Sequence, residues 1–247
     1  MCGIAGFVND MPIDVKCPVL QRMTDMIAHR GPDSEGHYID EHAALGHRRL
    51  SIIDLGGGQQ PIYNEDGSKV ITFNGEIYNY QTLREELIAA GHTFTTKSDT
   101  EVLLHGYEQW GVDLLQRVRG MFTFVIWDKN KQELFGARDH FGIKPFYYAK
   151  MNGTFMYASE IKSLLRHPDF VKELNAEALK PYMTFQYPAI GETFFKGVYK
   201  LPEGHYFTYR DGKMDIHRYY DEDFREGKQK LGELVNSIDQ TVCDLSL

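Results

Sequence analysis

A cysteine stands at position 2, in the opening run Met1-Cys2-Gly3-Ile4-Ala5-Gly6-Phe7. An initiator methionine before a small residue is of the kind normally trimmed, which leaves a chain that starts on a free cysteine. One residue then carries both a thiol nucleophile and an α-amine able to act as its base. Their unperturbed pKa values, about 8.5 and about 7.7, let both change protonation near neutral pH. Other groups able to do chemistry fall in short clusters: His29-Arg30-Gly31-Pro32-Asp33, His47-Arg48-Arg49, Asn74-Gly75-Glu76 and Ser98-Asp99-Thr100-Glu101. Each has a plain structural reading as well. The first is a polar turn. Asn74-Gly75 is a hairpin-turn signal. Ser98 to Glu101 matches a helix capping box, with Asp99 inside it.

These residues need elements to hold them. The apolar run Gly3 to Val8 predicts a buried strand that anchors Cys2 at its head. Leu20, Met23, Met26 and Ile27 form a helical stripe over 19–28. Strand patterns cover parts of 43–53 and 70–73, the latter ending at Asn74-Gly75. A helix is expected over 81–90, closing at Gly91. A second helix follows the capping box, marked by Val102, Leu103, Tyr107 and Trp110. Short strands are predicted at 121–127, 133–138, 146–149 and 154–158, helical turns at 160–165 and 176–183, and a hairpin over 205–219. Many short strands with several helices predict layered strands with helices at the faces, not a bundle, pure sandwich or doubly wound sheet. From Lys228 on, Leu231, Leu234, Val235, Ile238, Val242 and Leu245 mark one face of a helix. That face must be buried, either back on this domain or against a further one.

The 247 residues carry a net charge of −8, with no basic patch, which argues against a nucleic-acid partner. No stretch is long and apolar enough for a membrane span, and the N-terminus does not read as a signal peptide. Cys2, Cys17 and Cys243 are an odd set without metal-like spacing, which fits a reducing compartment, with the cytoplasm as default. The 10 histidines form no paired ligand motif, so no metal site is expected. There is no Walker-type phosphate loop.

Taken in order, several segments resemble the glutaminase domain of class II glutamine amidotransferases, the N-terminal-nucleophile type. More narrowly, the pattern is similar to the N-terminal half of asparagine synthetases. The matching pieces are Met1 to Gly6, His29 to Asp33, Gly46-His47-Arg48-Arg49-Leu50-Ser51-Ile52, Phe73-Asn74-Gly75-Glu76-Ile77-Tyr78-Asn79 and Ser98 to Glu101. Gly120-Met121-Phe122, Ala137-Arg138-Asp139 and Gly142-Ile143-Lys144-Pro145 continue the set. The likeness covers residues 1–220. Residues 221–247 then read as a C-terminal amphipathic helix, a linker or the start of a synthetase domain.

The resemblance implies an α+β fold, a four-layer αββα sandwich of two packed, mainly antiparallel sheets. It implies that Cys2 attacks the carboxamide of L-glutamine, releasing ammonia and leaving a thioester that water hydrolyses to glutamate. It places the oxyanion on the Asn74 side-chain amide and the Gly75 N–H, with Gly75 also letting the backbone come close. It gives Arg49 the α-carboxylate, Asp99 the α-ammonium and Glu76 the substrate's amino end. Backbone carbonyls around Leu50 and Ile52 add contacts. Arg30 and Asp33 brace a loop near the pocket. His47 is not needed as a base, because a terminal cysteine supplies its own.

It implies no cofactor in this chain. ATP and magnesium belong to a synthetase domain, in cis or in trans, that receives the ammonia, and no serine- and glycine-rich ATP loop occurs before Leu247. The parent enzyme expected is an ATP-dependent, glutamine-hydrolysing asparagine synthase. The resemblance also admits a homodimer. Two rival readings stay open: an amidotransferase serving another acceptor, and a non-catalytic structural or regulatory remnant.

Overall fold

The computed structural model describes residues 1–51, 54, 56–187, 191–222 and 230–245, with 244 and 245 described by backbone only. In chain order the first half forms β1 (Gly3–Val8), α1 (Ile13–Asp25), β2 (Ser34–Ile39), β3 (Ala43–Arg49), β4 (Ile62–Tyr63), β5 (Lys69–Ile77), α2 (Tyr80–Ala89) and α3 (Asp99–Trp110). The second half forms β6 (Gly120–Asp128), β7 (Glu133–Arg138), β8 (Tyr147–Met151), β9 (Thr154–Ala158), α4 (Ile161–Leu164), α5 (Ala176–Phe185), β10 (Val198–Lys200), β11 (His205–Arg210), β12 (Lys213–Arg218) and α6 (Leu231–Leu245).

The strands make two six-stranded sheets, ordered β10-β8-β9-β1-β3-β2 and β12-β11-β7-β6-β5-β4, with antiparallel pairing throughout the described ladders. They stack face to face. Ile4, Leu45, Phe155 and Tyr157 of the first sheet pack against Val70, Val125, Trp127 and Phe207 of the second. The opposite face of the first sheet buries Ala5, Phe7, Ala44 and Met156 under Val19, Leu20 and Met23 of α1 and Leu164 of α4. The opposite face of the second buries Ile71, Phe73, Phe124 and Ile126 under Leu83 and Leu87 of α2 and Val102 and Leu103 of α3. The expected four-layer αββα sandwich is the architecture observed.

Period-two alternation fixes which residues look into the gap between the sheets. Ile4 faces inward, so Cys2 lies on the same side. Leu45 faces inward, so His47 and Arg49 follow. On β5, Ile71 and Phe73 face outward, so Asn74 and Glu76 face inward.

Several local expectations shift. The first helix spans Ile13–Asp25, earlier than its stripe suggests. Pro18 sits inside it at an exposed position, where the lost backbone bond faces solvent. Asn74-Gly75 is not a turn: β5 runs through it, pairing Asn74 with Thr123 and Gly75 with Phe122 and continuing to Ile77. Ser98 caps α3, its hydroxyl accepting from Thr100 N at 3.2 Å. Glu101, however, does not return to the cap. It accepts from the Thr95 and Thr96 amides, both at 2.7 Å. On α6, Leu231, Val235, Ile238 and Val242 are exposed, so this face does not pack back on the sandwich. Among the described residues no helix is long and apolar enough to cross a membrane.

Gly6 shows how closely neighbouring strands of the first sheet pack. A Cβ there would lie 2.5 Å from the Ala44 carbonyl oxygen and 2.5 Å from the Tyr157 hydroxyl, which folds over the glycine. Gly6→Val is expected to lower the unfolding free energy by about 2–3 kcal/mol through overpacking. Urea unfolding with an unchanged midpoint would contradict this packing.

Candidate active site

The head of β1 brings Cys2 beside the end of β3. Its Sγ lies 3.4 Å from the Leu50 amide nitrogen and 3.5 Å from the Leu50 carbonyl oxygen. The Arg30 guanidinium donates to the Cys2 carbonyl at 2.9 Å and to Glu160 at 3.0 Å. Asp33 accepts from the Ser51 amide at 2.8 Å, and its own amide donates to the Arg49 carbonyl at 3.0 Å. The two loop residues therefore brace the cysteine and the 49–51 segment directly. Burial pushes the Cys2 thiol up, opposed by the Leu50 amide, the terminal ammonium and Arg49.

Beyond β4, which pairs only with Val70 and Ile71, β5 has an open edge. Phe73 N donates off that edge to Gln60 Oε1 at 2.6 Å, and Ile77 N donates to Asp99 Oδ2 at 3.0 Å. Strand alternation points the Gly75 N–H off the same edge, between those two. Asn74 is 1% exposed, and its Nδ2 has no hydrogen-bond partner. A buried amide donor without a partner is costly and calls for an explanation. The bare Cα of Gly75 serves the sheet, not the cleft: a Cβ there would collide with the Met121 carbonyl of β6.

Asp99 opens α3 but does not cap it, since Ser98 does that. Its carboxylate leaves the helix for the Ile77 amide. Burial raises its pKa to about 6 against the favourable Ile77 and Ser98 hydrogen bonds, with Glu76 adding repulsion. Arg49, also buried, donates to the Asp54 carbonyl at 2.6 Å. One cavity of about 650 Å³, open mouth included, is lined by Cys2, Arg49, Leu50, Asn74, Gly75, Glu76 and Asp99. Every site residue expected from sequence meets there except Ile52, which lies outside the described residues. A thiol, two amide donors, a guanidinium and two carboxylates thus surround a space suited to a small zwitterion with an attackable carbonyl.

His47 stays outside this chemistry. It is fully buried, its pKa falls to about 3, and its Nε2 lies 3.0 Å from the Phe73 carbonyl, tying β3 to β5 across the sheets. Lys144, Gln60 and Met121 also line the cavity, and sequence reasoning gave them no part. Lys144 is 4% exposed, and burial, helped by the Arg30 charge, lowers its pKa. It is delivered by Asp139, whose carboxylate accepts from the amides of Phe122, Phe141, Ile143 and Lys144. The Gly142-Ile143-Lys144-Pro145 signal was visible. What hid its position was that Asp139 folds that turn inward.

The sequence pattern of the glutamine amidotransferase domain matches residues 1–220, and the chain belongs to that family, of the class II type. The "Asparagine synthetase [glutamine-hydrolyzing] 1" of Bacillus subtilis (strain 168) is 44% identical over 248 residues, covering 99% of this chain and 39% of the relative. "Amidase chry2" of Gibberella zeae is 37% identical over 240 residues, covering 90% of this chain and 34% of the relative. This chain therefore spans well under half the length of either relative. Among solved structures, the glutamine phosphoribosylpyrophosphate amidotransferase of B. subtilis has a TM-score of 0.64 at 17% identity. The match covers 90% of this chain and 50% of that one, and shows the shared fold.

Asp99 gives a test of the cavity's electrostatics. Its folded pKa, about 6, stands above the ordinary 3.8, so the folded state holds the proton more tightly. The Asp99 contribution to stability is therefore largest below about pH 4, falls as pH rises through about 6, and is level beyond. Asp99→Asn removes that cost and is expected to stabilise the protein at pH 8 by up to about 3 kcal/mol. The gain shrinks toward pH 4. Urea unfolding at both values reads it, and a variant less stable than the parent at pH 8 would refute the assignment.

Proposed function

We propose that the chain is a glutaminase that hydrolyses L-glutamine to glutamate and ammonia once Met1 is removed. Cys2 Sγ attacks the side-chain carbonyl carbon while its α-amine takes the thiol proton. The same amine returns a proton to the departing nitrogen as the C–N bond breaks, leaving a thioester. Water then adds to the thioester, and the free thiol returns as glutamate leaves. The Asn74 Nδ2 and Gly75 N–H hold the oxyanion in both steps. Arg49 grips the α-carboxylate, Asp99 and Glu76 take the α-ammonium, and Leu50 with Ile52 adds backbone contacts. Glutamine's ammonium supplies the counter-charge that buried Asp99 requires. The observation that carries this reading is a buried, partnerless Asn74 donor in the same cavity as Cys2, Arg49 and Asp99.

The relatives support a reading of the ammonia acceptor. We propose a glutamine-hydrolysing asparagine synthase as the whole enzyme, working in the cytoplasm, with ATP and magnesium used by a synthetase domain in cis or trans. The exposed apolar face of α6 supports assigning 221–247 as the lead into that domain. The amidase relative favours a second reading, in which a different acceptor is served.

Ammonia release from glutamine by fully processed protein is the direct assay. Cys2→Ala is expected to abolish it with the fold intact, and undiminished release would overturn the nucleophile. Asn74→Ala is expected to lower kcat by about 10²–10³-fold with little change in KM, the signature of a donor used in the transition state. A change confined to KM would remove Asn74 from the oxyanion hole.

A further inference from the structure

Away from the Cys2 cavity, α3 packs beside the β4–β5 turn and the segment after α2. Glu65, His92, His105 and Glu108 meet there, and one donor atom of each lies within 4.8 Å of all the others. Sequence spacing hid the group, because only His105 and Glu108, three apart on α3, share a local face. We propose that these four residues form a structural site for a divalent ion of the zinc type.

The geometry fits. His105 Nδ1 is 3.0 Å from Glu108 Oε2 and 3.5 Å from Glu65 Oε2, while the second oxygen of Glu65, Oε1, is 3.6 Å from His92 Nδ1. A tetrahedral ion with bonds of about 2.1 Å needs donor atoms about 3.4 Å apart. Two imidazoles and two carboxylates suit a borderline cation, and the carboxylates match its charge.

Each donor is also aimed by a neighbour outside the set, as metal ligands are. His92 Nε2 meets Gln109 Oε1 at 3.2 Å, which leaves Nδ1 turned inward. Glu108 Oε1 accepts from Asn64 at 2.7 Å and Lys69 at 3.4 Å, leaving Oε2 for the site. Glu65 accepts from the Thr93 amide at 3.1 Å. His105 is 1% exposed, yet its Nε2 makes no hydrogen bond; it faces Glu101 Oε1 at 3.5 Å. An ion on Nδ1 would fix the proton on Nε2, toward that carboxylate. Glu101 also holds the Thr95 and Thr96 amides, so the ion would brace the stretch that leads to Ser98 and Asp99.

Calorimetric titration of the chelator-treated full chain with zinc is expected to show one equivalent bound. Glu65→Gln and His92→Ala alter partly or fully exposed residues outside the Cys2 cavity. Each is expected to weaken binding at least tenfold with an unchanged circular dichroism spectrum, and to abolish the zinc-induced rise in Tm seen in the parent. Cobalt in place of zinc should give the visible absorption of a four-coordinate site without a sulfur-to-metal band. No saturable binding, parental affinity in both variants, or a thiolate band from Cys2, Cys17 or Cys243 would overturn the proposal. The titration needs no turnover, so its failure would leave the glutaminase reading standing.

Discussion

The face-to-face stacking of two antiparallel sheets is the constraint on which everything else rests. Period-two alternation sends Cys2 and Arg49 from one sheet, and Asn74 and Glu76 from the other, into the same gap. A one-residue slip in β1 or β5 would turn those side chains outward and empty the cavity. The apolar inner layer therefore does two things at once. It binds the sheets together, and it sets the parity that makes the polar end converge.

Around that gap, buried charge is handled by backbone groups. Arg30 holds the Cys2 carbonyl, Arg138 donates to the Lys144 and Leu201 carbonyls, and Asp139 collects four amides. Such contacts satisfy an ion without a second mobile side chain. Asp99 is the contrast. With one amide and a distant hydroxyl, it stays short of compensation, and its raised pKa records that. Stability given up at one carboxylate is the usual companion of a binding group waiting for an opposite charge.

Much of this was legible in the residues. The strand after Cys2, the α3 cap and the run of short late strands follow from local pattern. So did the set Arg49, Asn74, Gly75 and Asp99, although only a resemblance gave those residues roles. The misreadings have physical causes. Asn74-Gly75 carries a turn signature, yet long-range pairing with β6 overrides it, and the glycine is required by the Met121 carbonyl. Asp99 looked like part of a cap because Ser98, one residue earlier, is the cap. Glu101 looked like its partner, but Thr95 and Thr96 lie nearer in space. Lys144 and the cluster around His105 depend on segments brought together only by folding, which no spacing rule reaches.

Met1 has a consequence of its own. Its side chain borders the cavity, and its sulfur lies 3.4 Å from Lys144 Nζ. On the proposed reading, Met1 stands at the border of the cleft and covers the nitrogen the reaction needs. Cleaving one peptide bond creates that amine, so maturation works like a zymogen's, once and without reversal. A preparation would then be a mixture of silent and ripened molecules, and its specific activity would report the extent of trimming as much as the chemistry.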